Sequence, residues 1–321
     1  MFRWLRKKDW KNSAPHLLLL SKFRHGDSPE HYERAEHWES VLKESSQKAI
    51  QGFVKDGTLE PAELPELVDF KFKVAELKNM LKERQLQVSG RKADLIDRLI
   101  ENDREGMVEA TKGLRILKCS EEGEKLANDY LNQEKEKREK AEKEVLNLLG
   151  KRSFSKAVKV VAEFEASQVF PRGFGIDWSS YSGESDVEDL NTIFGRIPGI
   201  LKGLDEDRLE RLRFAAAMMH LWGTNKASPW LSDDFETGIY LERDAAARML
   251  VFHASHLRNI KQYKEAGVKT VEILGVDDAN TCPACKKISG KKYRIDKVPE
   301  LPNPDCTCEI GCRCTTVAGD F

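Results

Sequence analysis

"FKVAELKNMLKERQLQVSGRKADLIDRLIEN", residues 72–102, carries two apolar stripes with an extended joint between them. Leu77 and Leu81 stand four apart on one helical face. Leu95, Ile96, Leu99 and Ile100 make a second stripe, and Leu86 and Val88 alternate through a link that ends at Ser89-Gly90. Two short amphipathic helices joined by an extended turn would bury these leucines against one another. So short a segment has little core of its own and is expected to lean on its neighbours.

The stretch resembles the SAP domain, a helix-extended-helix module of chromatin and DNA-repair proteins. The positions that carry the resemblance are Val74, Glu76-Leu77-Lys78, Leu81, Leu86, Ser89-Gly90, Lys92, and Leu95-Ile96 through Arg98-Leu99. The resemblance implies binding of double-stranded DNA. Local chemistry points the same way: Ser89 is placed to cap the second helix, and Arg91 and Lys92 put positive charge and backbone N–H groups at its start, where a phosphate is favoured. Lys71, Lys73, Lys78 and Arg98 would broaden the patch, so the candidate contacts are Lys73, Lys78, Ser89, Gly90, Arg91, Lys92 and Arg98. Such contacts position a protein on DNA without reading its sequence. Glu76, Glu83 and Asp94 lie in the same patch and keep a purely structural or protein-binding module open.

Composition neither adds to this reading nor opposes it. The 321 residues allow several units, and 53 Lys and Arg nearly balance 54 Asp and Glu, so a nucleic-acid partner must be met by a local patch. A charged fraction of 33% beside 8% aromatics suits a mainly helical protein. The apolar run "PHLLLLSKF" is far shorter than a membrane span and lacks a small-residue cleavage site, so no membrane partner and a cytoplasmic location are expected, with a basic N-terminal tail, "MFRWLRKKDWK".

Around the SAP-like stretch, residues 28–50 read as one helix capped by Ser28, with Pro29 in its first turn. "GTLEPAELPELVDF" reads as a proline-broken connector. "GLRILKC" reads as a short strand leading into a long charged helix with a solvated middle, "KEKREKAEKE", supported by pairs such as Glu134 with Arg138. A Gly- and Ser-rich loop follows the next helix, and its Gly173 and Gly175 lack the context of a dinucleotide site. Helical patterning resumes from Val187 to Val268. There His220, His253 and His256 read as structural, since two histidines on one face make only half a metal site.

The tail holds six of the seven cysteines in the order C-x2-C-x20-C-x-C-x3-C-x-C. A C-x-x-C turn lets two thiolates converge on a tetrahedral ion, and sulfurs some twenty residues later can complete it. The expected ligands are Cys282, Cys285, Cys306 and Cys312, with Cys308 and Cys314 as alternates or parts of a second site, and the expected cofactor is structural zinc, although an S4 set also suits iron. A redox pair is the main rival; it would open a helix after a strand, whereas "CPACKKISGKKYRI" runs quickly into Gly290 and a strand-like "KKYRI".

The same region resembles the C-terminal motif of phage Mu F-like head-morphogenesis (minor capsid) proteins, through Gly267-Val268, Asp278, Cys282-Pro283, Cys285, Gly290, Tyr293, Pro304 and Cys312-Arg313-Cys314. That family commonly has a histidine before its C-R-C; this chain has Asn303-Pro304 and an additional Cys306-Thr307-Cys308. The resemblance implies an assembly partner such as a portal or capsid protein.

Together these readings predict a mainly α, multidomain protein: an N-terminal helical region over 1–69, a SAP-like module over 70–104, a strand and long charged helical hairpin over 105–170, a helical domain over 187–268 and a small α+β zinc-binding unit over 269–321. The favoured function is a non-enzymatic DNA-associated protein, with phage head morphogenesis as the alternative and a metal-dependent nuclease-like enzyme as a further one. No catalytic residue is assigned.

Overall fold

A computed structural model of the protein describes residues 9–319, so most of the basic N-terminal tail lies outside the described residues. The chain forms two compact units, Met1–Lys137 and Arg138–Phe321, and the boundary falls inside one helix, Glu121–Gly150. Fourteen α-helices and two small antiparallel sheets are present among the described residues, which makes the protein mainly α. No described helix is long and apolar enough to cross a membrane.

In the first unit, the single helix expected over residues 28–50 is replaced by three: Glu30–Glu33, Glu36–Leu42 and Ser46–Lys55. Lys43 ends the second of these in the left-handed region at φ 61°, and the Ser45 hydroxyl accepts the Lys48 N–H to start the third. Ser28 is not the cap; it follows Asp27, whose carboxylate accepts the Ser28 N–H, the Tyr32 hydroxyl and a His31 ring hydrogen bond. These short helices and Ala14–Ser21 gather around Leu19, Leu20, Phe23, Trp38, Ile50 and Phe53. The expected strand forms as Leu117–Cys119 and pairs with Leu59–Pro61, Leu59 opposite Cys119. The long helix then starts against this pair so closely that a Cβ at Gly123 would stand 2.0 Å from the Thr58 carbonyl oxygen.

The stretch read as a connector contains a helix, Leu64–Lys71. Pro65 sits in its first turn, where its missing N–H has no intrahelical partner to lose, so the proline begins a helix here and does not break one. This helix and Arg104–Thr111 flank the two helices predicted from the leucine stripes, Val74–Glu83 and Lys92–Asn102. Leu77, Leu81, Leu95, Ile96 and Leu99 are buried with Leu64, Val68 and Met107, so the expected reliance on neighbouring segments is observed. Arg84 and Asp103 clasp the module: the guanidinium Nε donates to Asp103 Oδ2 at 2.9 Å, and Asp103 Oδ1 accepts the Gly106 N–H at 3.0 Å. Arg84 thereby holds the Asp103 carboxyl below the usual carboxylate range.

The second unit packs Phe154–Ala166, Glu184–Gly195, Glu206–Trp222 and Arg243–Glu265. Asp205 caps the third of these by accepting the Arg208 N–H, and Gly223 ends it at φ +60°. Ala245, Ala246 and Ala247 are buried on the last, where small side chains permit close helix approach. After Gly267 comes an antiparallel sheet with Thr270–Leu274 central, flanked by Lys292–Arg294 and Thr315–Ala318. One core joins helices and tail: Leu212, Ala216, Met249 and Leu250 are continuous with Ile273, Leu301 and the buried cysteines.

Candidate nucleic-acid interface and metal centre

The seven residues predicted to meet DNA divide by what already holds them. Arg91 begins the Lys92–Asn102 helix; its backbone N–H donates to Asp94 Oδ2 at 2.8 Å, and its side chain is 91% exposed with only a long approach to Asp94, 3.8 Å. Lys73 holds the equivalent place before Val74–Glu83, exposed, its N–H bonded to Glu76 at 2.7 Å; Lys78 is half-buried one turn on. Lys92 and Arg98 are used within the module. The Lys92 ammonium donates to the Asp69 carbonyl at 2.6 Å and pairs with its carboxylate at 3.0 Å, while Arg98 donates to the carbonyls of Gln87 and Ser89 and so fastens the extended link. Ser89 does not cap the helix: its hydroxyl accepts from Gln87 at 2.7 Å, and capping passes to Asp94. Gly90, at φ +126°, makes the turn between them, where a Cβ would meet Asp94 at 3.0 Å.

The tail's geometry is built by a short helix and a returning segment. Cys282 precedes a six-residue helix, Pro283–Ile288, so the expectation that the knuckle does not open a helix is not met; proline in the first turn and Gly290 beyond the end give the helix its limits. That helix turns Cys285 inward. The segment 301–314 then returns, and Cys306 and Cys308 arrive beside the knuckle. Cys282, Cys285, Cys306 and Cys308 have all their sulfurs within 4.8 Å of one another, and Cys285, Cys312 and Cys314 form a second such group. Cys312, chosen from sequence with the first group, stands in the second, and Cys308 takes a place in the first. The cluster could hold a metal ion, and these two groups are the places among the described residues where three or more Cys, His, Asp or Glu ligand atoms converge this closely.

Backbone N–H groups aim at the sulfurs: Cys282 toward Cys308, Thr307 toward Cys282 and Cys308 toward Cys306 at 3.4 Å, and Asn303 toward Cys312 at 3.3 Å. These donors favour thiolate. Partial burial raises Cys282, but the N–H groups of Thr307 and Cys285 bring it down to about 6. Burial pushes Cys285 up to about 12. Cys312 is lowered by bonds from Cys306 and Cys314, and those two are raised in return. Sulfurs so crowded share protons among themselves, and a cation is what lets all of them ionise together.

Two further contacts shape the site. Arg313 grips Asp278 through both guanidinium nitrogens, at 2.6 and 2.7 Å, and also donates to Thr281 at 3.0 Å. The guanidinium holds the Asp278 carboxyl far below the usual carboxylate range. From the helical side, Met249 Sδ accepts the Cys312 N–H at 3.3 Å, the Tyr240 hydroxyl donates to the Cys306 carbonyl, and His253 Nδ1 bonds the Leu301 carbonyl at 3.0 Å. His253 and His256 are buried, and neither joins a group of converging ligands. His220 bonds Asp186 at 2.9 Å. Cys119 lies apart, half-buried, its thiol pushed up to about 12 by burial.

Compared with known families, residues 70–104 match the model of the SAP domain, the boundaries read from the sequence. A SAP domain suggests nucleic-acid binding. Comparison with curated proteins and with solved structures gave no match.

Proposed function

We propose that the protein is a DNA-associated, non-enzymatic protein that meets duplex phosphates through its SAP domain and carries a structural zinc site in its tail. The observation that carries this reading is the SAP match over 70–104 together with the exposed Arg91 at the start of the Lys92–Asn102 helix. There an exposed guanidinium stands at the start of a helix, chemistry that suits a phosphate. Lys73 and Lys78 add reach. Gly90 shapes the approach and Ser89 flanks it, while Lys92 and Arg98 contribute positive field from positions fixed by the module's own carbonyls. Such a surface contacts backbone and not base edges, so the expected binding is weakly sequence-dependent and strongly salt-dependent.

For the tail, sulfur-only ligation with inward N–H donors supports a closed zinc site, held first by Cys282, Cys285, Cys306 and Cys308. Four sulfurs leave no open position for activating water, which favours architecture over catalysis. Anisotropy titrations of the full chain with a labelled duplex at several salt concentrations test the DNA reading. Affinity that is unaffected by salt, or unchanged by Arg91→Ala with Lys73→Ala, overturns it.

A second reading, a phage or prophage head-morphogenesis protein with a portal or capsid partner, rests on the residue pattern of the tail. Co-purification of the chain with virion proteins is its test.

A further inference from the structure

We infer that the tail holds two zinc ions in a single six-sulfur cluster, with Cys285 and Cys306 each shared between the ions. This deepens the proposed zinc site and rests on it.

The argument begins with how many ligands are present. Two separate tetrahedral sulfur sites need eight sulfurs, and the tail brings six together. If two sulfurs bridge, six suffice: two bridging, and two terminal on each ion. The geometry selects the first bridge. Cys285 belongs to both converging groups. The second group, Cys285, Cys312 and Cys314, has three sulfurs, and Cys306, which shares the first group with Cys285, is the sulfur we assign as its fourth ligand. Cys282 and Cys308 are then terminal on one ion, and Cys312 and Cys314 on the other.

Distances agree. A zinc–sulfur bond of about 2.3 Å implies about 3.8 Å between sulfurs of one tetrahedron. Cys282 and Cys306 are 3.9 Å apart, and so are Cys285 and Cys312, one such edge in each proposed tetrahedron. Neither pair approaches the roughly 2.0 Å of a disulfide. Charge agrees as well: two dications with six thiolates leave the same net charge of minus two as one zinc with four. The N–H groups of Thr307, Cys282 and Asn303 and the nearby Arg313 face that charge.

The test uses the full chain, purified under reducing conditions. Elemental analysis and native mass spectrometry are expected to give two zinc per chain, falling to one in Cys314→Ser. After exchange to cadmium, NMR of the wild-type chain is expected to show two cadmium resonances split by each other through a shared sulfur. One zinc per chain overturns the second ion and leaves the single staple standing; none overturns both. Two cadmium signals without mutual splitting overturn the sharing. Iron with acid-labile sulfide in place of zinc overturns the thiolate-only cluster.

Discussion

The two guanidinium nitrogens of Arg313 lie 2.6 and 2.7 Å from the two carboxylate oxygens of Asp278, thirty-five residues earlier in the chain. Arg313 sits between Cys312 and Cys314, while Asp278 shares Thr281 with it, one residue before Cys282. The pair therefore ties the two halves of the cysteine cluster together from outside. Partners of this kind, hydrogen-bonded around a metal site without ligating it, hold the ligands in place. Arg313→Gln is expected to weaken metal retention by about tenfold, read by competition with a chromophoric chelator. Equal retention would show that the pair is incidental.

Metal removal should reach beyond the tail. Met249, Leu250 and Leu301 share a core with the cysteines, so loosening the cluster exposes apolar surface of the helical domain. Calorimetry of the chain with and without chelator is expected to lower the melting of Arg138–Phe321 and to leave that of Met1–Lys137 in place. An unchanged profile would mean the cluster folds without its ion.

Arg91 and Arg98 make a discriminating pair within the SAP domain. Arg91→Ala should cost duplex affinity and reduce the slope of log affinity against log salt by about 0.9, with no loss of stability. Arg98→Ala should lower the melting temperature, because it frees the Gln87 and Ser89 carbonyls. The opposite assignment of effects would place the phosphate contact on Arg98.

Gly123→Ala tests the packing of the first unit. A Cβ there collides with backbone, which cannot rotate away, so the cost is expected to be about 2–3 kcal/mol in a denaturant titration. A neutral result would show that the long helix can shift away from Thr58.

The Arg84–Asp103 clasp should be visible in pH. Because the folded carboxyl is lowered, its stabilising contribution is fully present above the ordinary aspartate value of about 3.9 and is lost as pH falls through the lower folded value. Carbon-13 NMR of the Asp103 carboxyl is expected to show a midpoint below that value, moving up in Arg84→Gln. A midpoint already at the ordinary value would remove the clasp.

What the sequence revealed was local and periodic. Leu77, Leu81, Leu95 and Leu99 repeat at helical spacing, so the two central helices of the SAP domain could be read directly, and the crowding of six cysteines in one tail announced a cluster that could hold a metal. What it concealed depended on distance along the chain or on choices between equivalent groups. Pro65 reads as a breaker until its place in the first turn is known, which hid the Leu64–Lys71 helix. Ser89 and Asp94 are both able to cap one helix, and only the path of the link through Gly90 decides for Asp94. Lys92 and Arg98 look as available as Arg91 until the carbonyls they satisfy are seen. The grouping of Cys308 with the knuckle follows from the route of residues 301–308, which spacing alone does not determine.

Because Met249 sits directly under the Cys312 amide, the tail acts as a plug on the Arg243–Glu265 helix. Were the cluster to open, the chain would bare an oily footprint around Met249 and Leu301, and solubility would be the first property to fail.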